Sequence, residues 1–491
     1  MSPSLVMRAA AIAAALSLPV LAQNLNCKML AHVDKFPGAV SPNNNYAGVW
    51  GYVGSNGKEY AVVPARTGTV FYDCSNPAAP VEIAFIPGPG ATSTPYFWRE
   101  ANGYKGDYIY LSSEHGALQV VNVTNPGAPV LSGTFGGSAH TVTVDEGAKK
   151  LWASGGTYNG CGVFDLAVSF TNPPKIGGFS SPYVHDCLPI RGYGYFAQIF
   201  NGNFQIRDIA NAAGALPVLS TTKTPGNFTH NVWVTDDDKI AITADENRGG
   251  CLAVYDIANK ALPVLKSSWC SPNGATVHNV FIKGNVAHFS CYSDGYWAVD
   301  ISVPTAPKPI AHYDTSNYSG NDYHGNWGCY PYQPSGVIYL SDMQSGFWIV
   351  EPTSGVPNLY GNGTAGKGGF QPTIDYAGGF AKVGNSTFQI AGQKMLGGAP
   401  ALLVLGTGAA NTPVFGINLL VDLALPNVLV STTASGTAGA AGAGAAAVNV
   451  PIPNNPALAL GVLYSQWVVV DAAAPGGLVS ASRGMKVVIS P

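Results

Sequence analysis

Residues 228–238 read FTHNVWVTDDD, and residues 276–285 read TVHNVFIKGN. Both set His-Asn-Val at the head of an apolar alternation and end it on a polar turn, 48 positions apart. That alternation is the period of a half-buried strand, and the residues that end it are turn formers. The residues after the first copy show what it begins. KIAITA (239–244), CLAVYD (251–256) and PVLKSSW (263–269) are three more short strands, with turns at Asp236–Asp238 and Arg248–Gly250. His-Asn-Val therefore opens the innermost strand of a four-stranded unit.

The unit recurs. Its marker is a short apolar strand ending in an acidic or amide residue, then a turn (usually with Pro), then a second apolar strand. Copies include VFYDCSNPAAPVEIAFIPG (70–88), QVVNVTNPGAPVLSGTFGG (119–137), QIRDIANAAGALPVLSTTK (205–223) and AVDISVPTAPKPIAHYD (298–314). The marker residue falls at Asp73, Asn122, Asp165, Asp208, Asp256, Asp300 and Glu351, at intervals of 43 to 51 residues. Seven units of that length, each with four strands, predict a seven-bladed β-propeller. KMLAHVD (28–34) resembles the fourth-strand text KPIAHYD (308–314) and is expected to close the ring, which removes the open edge.

The chain divides into three parts. Residues 1–22 (one Arg, an apolar run, then Val20 and Ala22 before Gln23) read as a secretory signal peptide, placing the protein outside the cell or on its surface. Residues 23–362 hold the repeats. From residue 365 onward there are eight charges and neither His nor Cys, and segments such as PALLVLGTG and GVLYSQWVVVD read as strands. Residues 368–491 are therefore expected to form a C-terminal β-sandwich, making the whole chain all-β.

Composition excludes some classes. Charged residues are 10% of the chain and the net charge is −3, with no basic cluster, so nucleic acid finds nothing to grip. No later stretch reaches eighteen clean apolar residues, so no transmembrane segment is expected. The eight cysteines include no CxxC pair, and their even number in an exported chain favours disulfides. One pairing follows from register: in the hairpin turning at Ile257–Leu262, Cys251 lies opposite Cys270.

Several segments carry a resemblance. WGYVGSNGKEYAVVPARTGTVFYD (50–73), FWREANGYKGDYIYLSSEHGALQVVNV (97–123), SAHTVTVD (138–145) and YVHD (183–186) resemble the secreted propeller family called choice-of-anchor B, built from LVIVD repeats. The resemblance covers about residues 28–360 and implies an exported propeller, with no catalytic activity to carry over. The C-terminal text resembles a module appended to secreted proteins of planctomycete-like bacteria, which implies an accessory or display role.

Five innermost strands begin with histidine: His140, His185, His230, His278 and His324, spaced 45, 45, 48 and 46 residues apart. Sheets one and two break the series with Ala47 and with Trp98-Arg99-Glu100. The ends of the second strands, with Glu114, Asp245 (followed by Glu246) and Asp342, are expected beside these histidines because consecutive strands are antiparallel. Imidazoles with carboxylates suit zinc, iron or copper, the carboxylates acting as orienting partners. No complete nucleophile elbow occurs, GGSAH (136–140) lacking its last glycine. The expected function is thus a secreted binding module for an extracellular protein, glycan or small molecule, with a His-lined channel mouth. The alternative is a metal-dependent enzyme, oxygenase-like or hydrolytic, using the same histidines.

Overall fold

A computed structural model describes residues 24–36, 44–89 and 98–491. The segment read as a signal peptide lies outside these residues. Among the described residues there are seven four-stranded antiparallel sheets between Cys27 and Pro352, an arrangement consistent with a β-propeller. The fifth sheet runs Thr229–Val234, Ile240–Asp245, Leu252–Asp256 and Val264–Trp269, in that spatial order. The first strand of each sheet contacts that of the next, and the circuit closes from Asn326–Tyr330 back to Trp50–Val53.

The marker text now has a physical reason. Third strands such as Leu252–Asp256 are buried along nearly their whole length, because neighbouring sheets cover both faces. At the strand's end the chain must reverse. In six sheets the marker side chain accepts a backbone N–H two residues on at 2.8–3.1 Å, from Ser75, Thr124, Ala167, Ala210, Ala258 and Ser302. These are Asx turns. In the seventh sheet Glu351 instead pairs with Lys28 at 2.8 Å. Fourth strands such as Val264–Trp269 lie at the rim, largely exposed.

The seventh sheet is completed by Cys27–Val33, which pairs antiparallel with Gly346–Pro352 as the sequence predicts. Leu25 also exchanges backbone hydrogen bonds of 3.0 and 2.8 Å with His312 on the outer strand of sheet six. The sulfurs of Cys251 and Cys270 are 1.99 Å apart, so the pairing read from the register is present.

Beyond Pro352 the strands reorganise. Asn358–Tyr360 pairs with Gly484–Val488, inside a six-stranded sheet that also holds Val462–Val470, Pro400–Gly406, Asn427–Thr433 and Val479–Ala481. A three-stranded sheet (Asp375–Ala377, Gln389–Met395, Gly444–Asn449) and the hairpin Ala409–Val414/Ile417–Val421 accompany it. Gly346–Pro352 thus still pairs within sheet seven, and Asn358–Tyr360 already pairs with a C-terminal strand. Trp467, Ile390 and Met395 of this region share one buried cluster with Val286, Ile310 and Leu340 of sheets six and seven. Asp300, the marker of sheet six, accepts Tyr376 O–H at 2.8 Å and Phe380 N–H at 3.1 Å.

Candidate functional site

The seven first strands surround a cavity of about 50 Å³ to which each contributes, among them Trp50, Asn102, Thr141, Asp186, Asn231, Phe281 and Cys329. At one end of it, where the first strands begin, a ring of side chains closes in. His140 and His185 have ring centroids 4.0 Å apart, His185 and His230 4.0 Å, and His230 and His278 4.2 Å. The next ring in the series is Trp327, 4.3 Å from His278. Trp327 Nε1 donates to Glu100 Oε1 at 2.9 Å. Sheet one offers Gly48, where a Cβ would stand 2.0 Å from Glu100 Oε2, so only glycine leaves room for that carboxyl.

Local backbone explains the aim of two of these residues. The pairing register slips between Thr229 and Asn231 and again between Asn326 and Gly328, which makes His230 and Trp327 the extra residue of a bulge. A bulge re-aims a side chain that strand parity would send elsewhere. Around the ring, His140 Nδ1 donates to Glu114 Oε1 at 2.6 Å.

His324 is not in the ring. It is half-buried, stacks on Tyr318 at 4.6 Å and lies 3.0 Å from Asp322. A text signal distinguishes it from Trp327. Two residues after each ring histidine stands Val142, Cys187, Val232 or Val280, and Cys329 takes that place after Trp327, whereas Asn326 follows His324. Asp245 and Asp342 brace loops instead of imidazoles. Asp245 accepts from Gly226 N at 2.8 Å and Phe228 N at 3.2 Å, as well as from Thr224. Asp342 accepts from Thr315 Oγ1 at 2.8 Å and from the Gln344 and Ser345 amides at 3.0 Å.

The carboxyl group that reaches His230 and His278 is Glu246, one residue beyond Asp245 and past the end of its strand. Its Oε2 lies 3.5 Å from His230 Nε2 and its Oε1 3.8 Å from His278 Nε2, while Tyr292 O–H donates to Oε1. Ligand atoms of His185, His230 and Glu246 all lie within 4.8 Å of one another.

The electrostatics favour neutral rings. Burial holds His185 and His230 well below the ordinary imidazole value, and neighbouring histidines push the same way. Burial takes His278 down to about 3. Burial raises Glu246 to about 7 and Glu100 to about 7. For His140 burial opposes the charge, but the hydrogen bond to Glu114 outweighs it and the value rises.

One contact shows what this arrangement can do. His278 Nδ1 is 2.6 Å from the Trp327 carbonyl, an acceptor only, so Nδ1 carries the proton and Nε2 a lone pair. That Nε2 is buried without a hydrogen-bond partner and faces a carboxylate oxygen. Two electron-rich atoms at this separation repel unless a proton on Glu246 or a cation lies between them. Nδ1 of His185 and of His230 is likewise buried without a partner. Neutral imidazoles with lone pairs beside a carboxylate form a donor set for a divalent first-row metal.

The far end of the channel opens on a cavity of about 720 Å³ whose lining includes Trp50, Asn102, Arg191, Trp233 and, from the C-terminal region, Lys394. Trp50 and Trp233 thus line the channel, Trp327 is in the ring, and Trp98 is partly exposed.

Comparison with known families identifies an LVIVD repeat at residues 104–141, from the first strand of sheet two to the threonine after His140. No curated protein matches the chain. No helix among the described residues is long and apolar enough to cross a membrane.

Proposed function

We propose that this chain is a seven-bladed LVIVD-repeat propeller of the choice-of-anchor B type, exported through residues 1–22, with a C-terminal β-sandwich of accessory role. It acts outside the cell as a binding module. Its channel mouth holds a divalent transition metal (zinc, iron or copper) through His185, His230 and Glu246. His278 stands beside the site as a further donor, and His140, paired with Glu114, borders it. The observation that carries this reading is the unpartnered lone pair of His278 Nε2 facing Glu246, 3.8 Å away, next to two more neutral histidines. A metal ion there displaces the proton of Glu246 and is held by both donor atoms.

Metal analysis tests it. Full-length protein loaded with zinc or cobalt and then dialysed is expected to keep about one ion per chain. The His185→Ala/His230→Ala variant, with an unchanged circular-dichroism spectrum, is expected to keep none. Equal retention by both proteins overturns the reading.

A second reading, a metal-dependent enzyme, draws on Glu100. This buried carboxyl, raised to about 7, sits on the same ring and could carry a proton for a substrate in the channel. Metal-loaded protein that turns over no ester, phosphoester or oxidisable substrate counts against it and leaves the binding module.

A further inference from the structure

Two cysteines outside the established bridge share one hydroxyl. Ser154 Oγ is 3.1 Å from Cys161 Sγ and 3.3 Å from Cys187 Sγ. Ser154 and Cys161 are cross-strand partners in sheet three, and Cys187 lies on the first strand of sheet four. All three side chains are buried, and both sulfurs belong to the cluster between these sheets with Trp152, Val163 and Phe196. The two thiols are therefore near neighbours across a sheet-to-sheet boundary, while the bonded Cys251–Cys270 pair stays within sheet five.

We propose that Cys161 and Cys187 form a second disulfide, a staple between sheets three and four. It forms while the chain folds, before the cluster closes over it. One thiolate attacks a small disulfide oxidant such as glutathione disulfide, giving a mixed disulfide and releasing one glutathione thiol. The second thiolate then displaces the other glutathione, so two thiol protons and two electrons leave the protein and one S–S bond remains. The Ser154 hydroxyl, which holds both sulfurs on one side of the boundary, keeps a single sulfur as partner afterwards.

The location gives the staple a purpose. Ser154 O accepts the His140 backbone N–H at 2.8 Å, and Cys187 is two residues past His185. A bond here ties the strand that follows His185 to the third strand of the sheet whose first strand follows His140. The inference does not depend on whether the ring binds metal.

The test is a thiol map. Full-length protein exported to the periplasm of a bacterial host is unfolded without reductant, capped with iodoacetamide and digested. In molecules whose Cys251–Cys270 bridge is intact, the Cys161 and Cys187 peptides are expected to be linked, with capping confined to Cys27, Cys74, Cys291 and Cys329. Capped Cys161 and Cys187 in those same molecules overturn the proposal. Cys161→Ser is expected to expose Cys187 to capping and to lower Tm by about 5 °C or more. Should that variant not fold, the map of the unaltered protein still decides. An unchanged Tm in a folded Cys161→Ser protein also counts against the staple.

Discussion

The rim and the mouth of this ring of sheets use the repeat in opposite ways. At the rim one residue does one job six times: Asp or Asn ends the third strand and folds its carboxylate or amide back onto the backbone two residues on. At the mouth the corresponding places hold Gly48, Glu100, four histidines and Trp327, in a single circuit of side chains. A turn needs the same chemistry wherever it occurs, so the repeat keeps it. A site needs different groups facing each other, so the repeat gives way there. Within one chain, departures from the repeat therefore locate the chemistry as well as any pocket does.

This contrast can be broken in four places. The largest effect is expected at Trp327. Trp327→Ala empties a buried slot and leaves Glu100 without its donor, and should cost about 3–5 kcal/mol in urea unfolding. A loss under about 1 kcal/mol would mean that the ring is not part of the packed interior. Next comes His185→Ala, which should weaken metal binding about 100-fold in calorimetric titration while shifting the unfolding midpoint far less than Trp327→Ala does. Equal affinity for the variant and the parent would show that the ring is only packing.

At the rim the change should be small and local. Asp256→Ala removes one side chain-to-backbone bond and is expected to cost about 1 kcal/mol, with metal content untouched. A lost metal in that variant would blur the division between rim and mouth. Smallest of all is His324→Ala. The residue is half-exposed and paired with an exposed aspartate, so stability should move by less than about 0.5 kcal/mol and metal affinity not at all. Loss of metal there would return His324 to the site from which its position removes it.

Sequence spacing was enough for the sheets because each carries its own turn signal, strand alternation and marker residue. The disulfide was legible for the same reason, since hairpin register is local. The ring was legible for His140, His185, His230 and His278, each of which stands two residues before a Val or Cys of its first strand. It failed at His324 because a histidine at the repeat spacing happens to stand three residues ahead of the ring place, which in sheet seven is filled by Trp327 and carries no histidine to mark it. The choice of Asp245 over its neighbour Glu246 failed at the same scale. Glu246 lies just past the strand end, where strand alternation no longer says which way a side chain points, so one position separates a loop brace from a ring partner. In the C-terminal region Asn427–Thr433 pairs with Pro400–Gly406 along its whole length, yet the sequence marks it poorly. Its side chains are mostly exposed, so no buried alternation marks it.

The seam at Cys27–Val33 has a consequence for how this protein comes into being. This strand, the first among the described residues, finds its partner only in Gly346–Pro352, more than three hundred residues later. Six sheets can form in order as the chain lengthens, each from its own contiguous stretch, but the seventh must wait for both ends. A chain that stops short of residue 346 leaves two raw sheet edges facing one another, an invitation to pair with another unfinished chain. The act that completes the ring is thus also a check that the whole ring has been made.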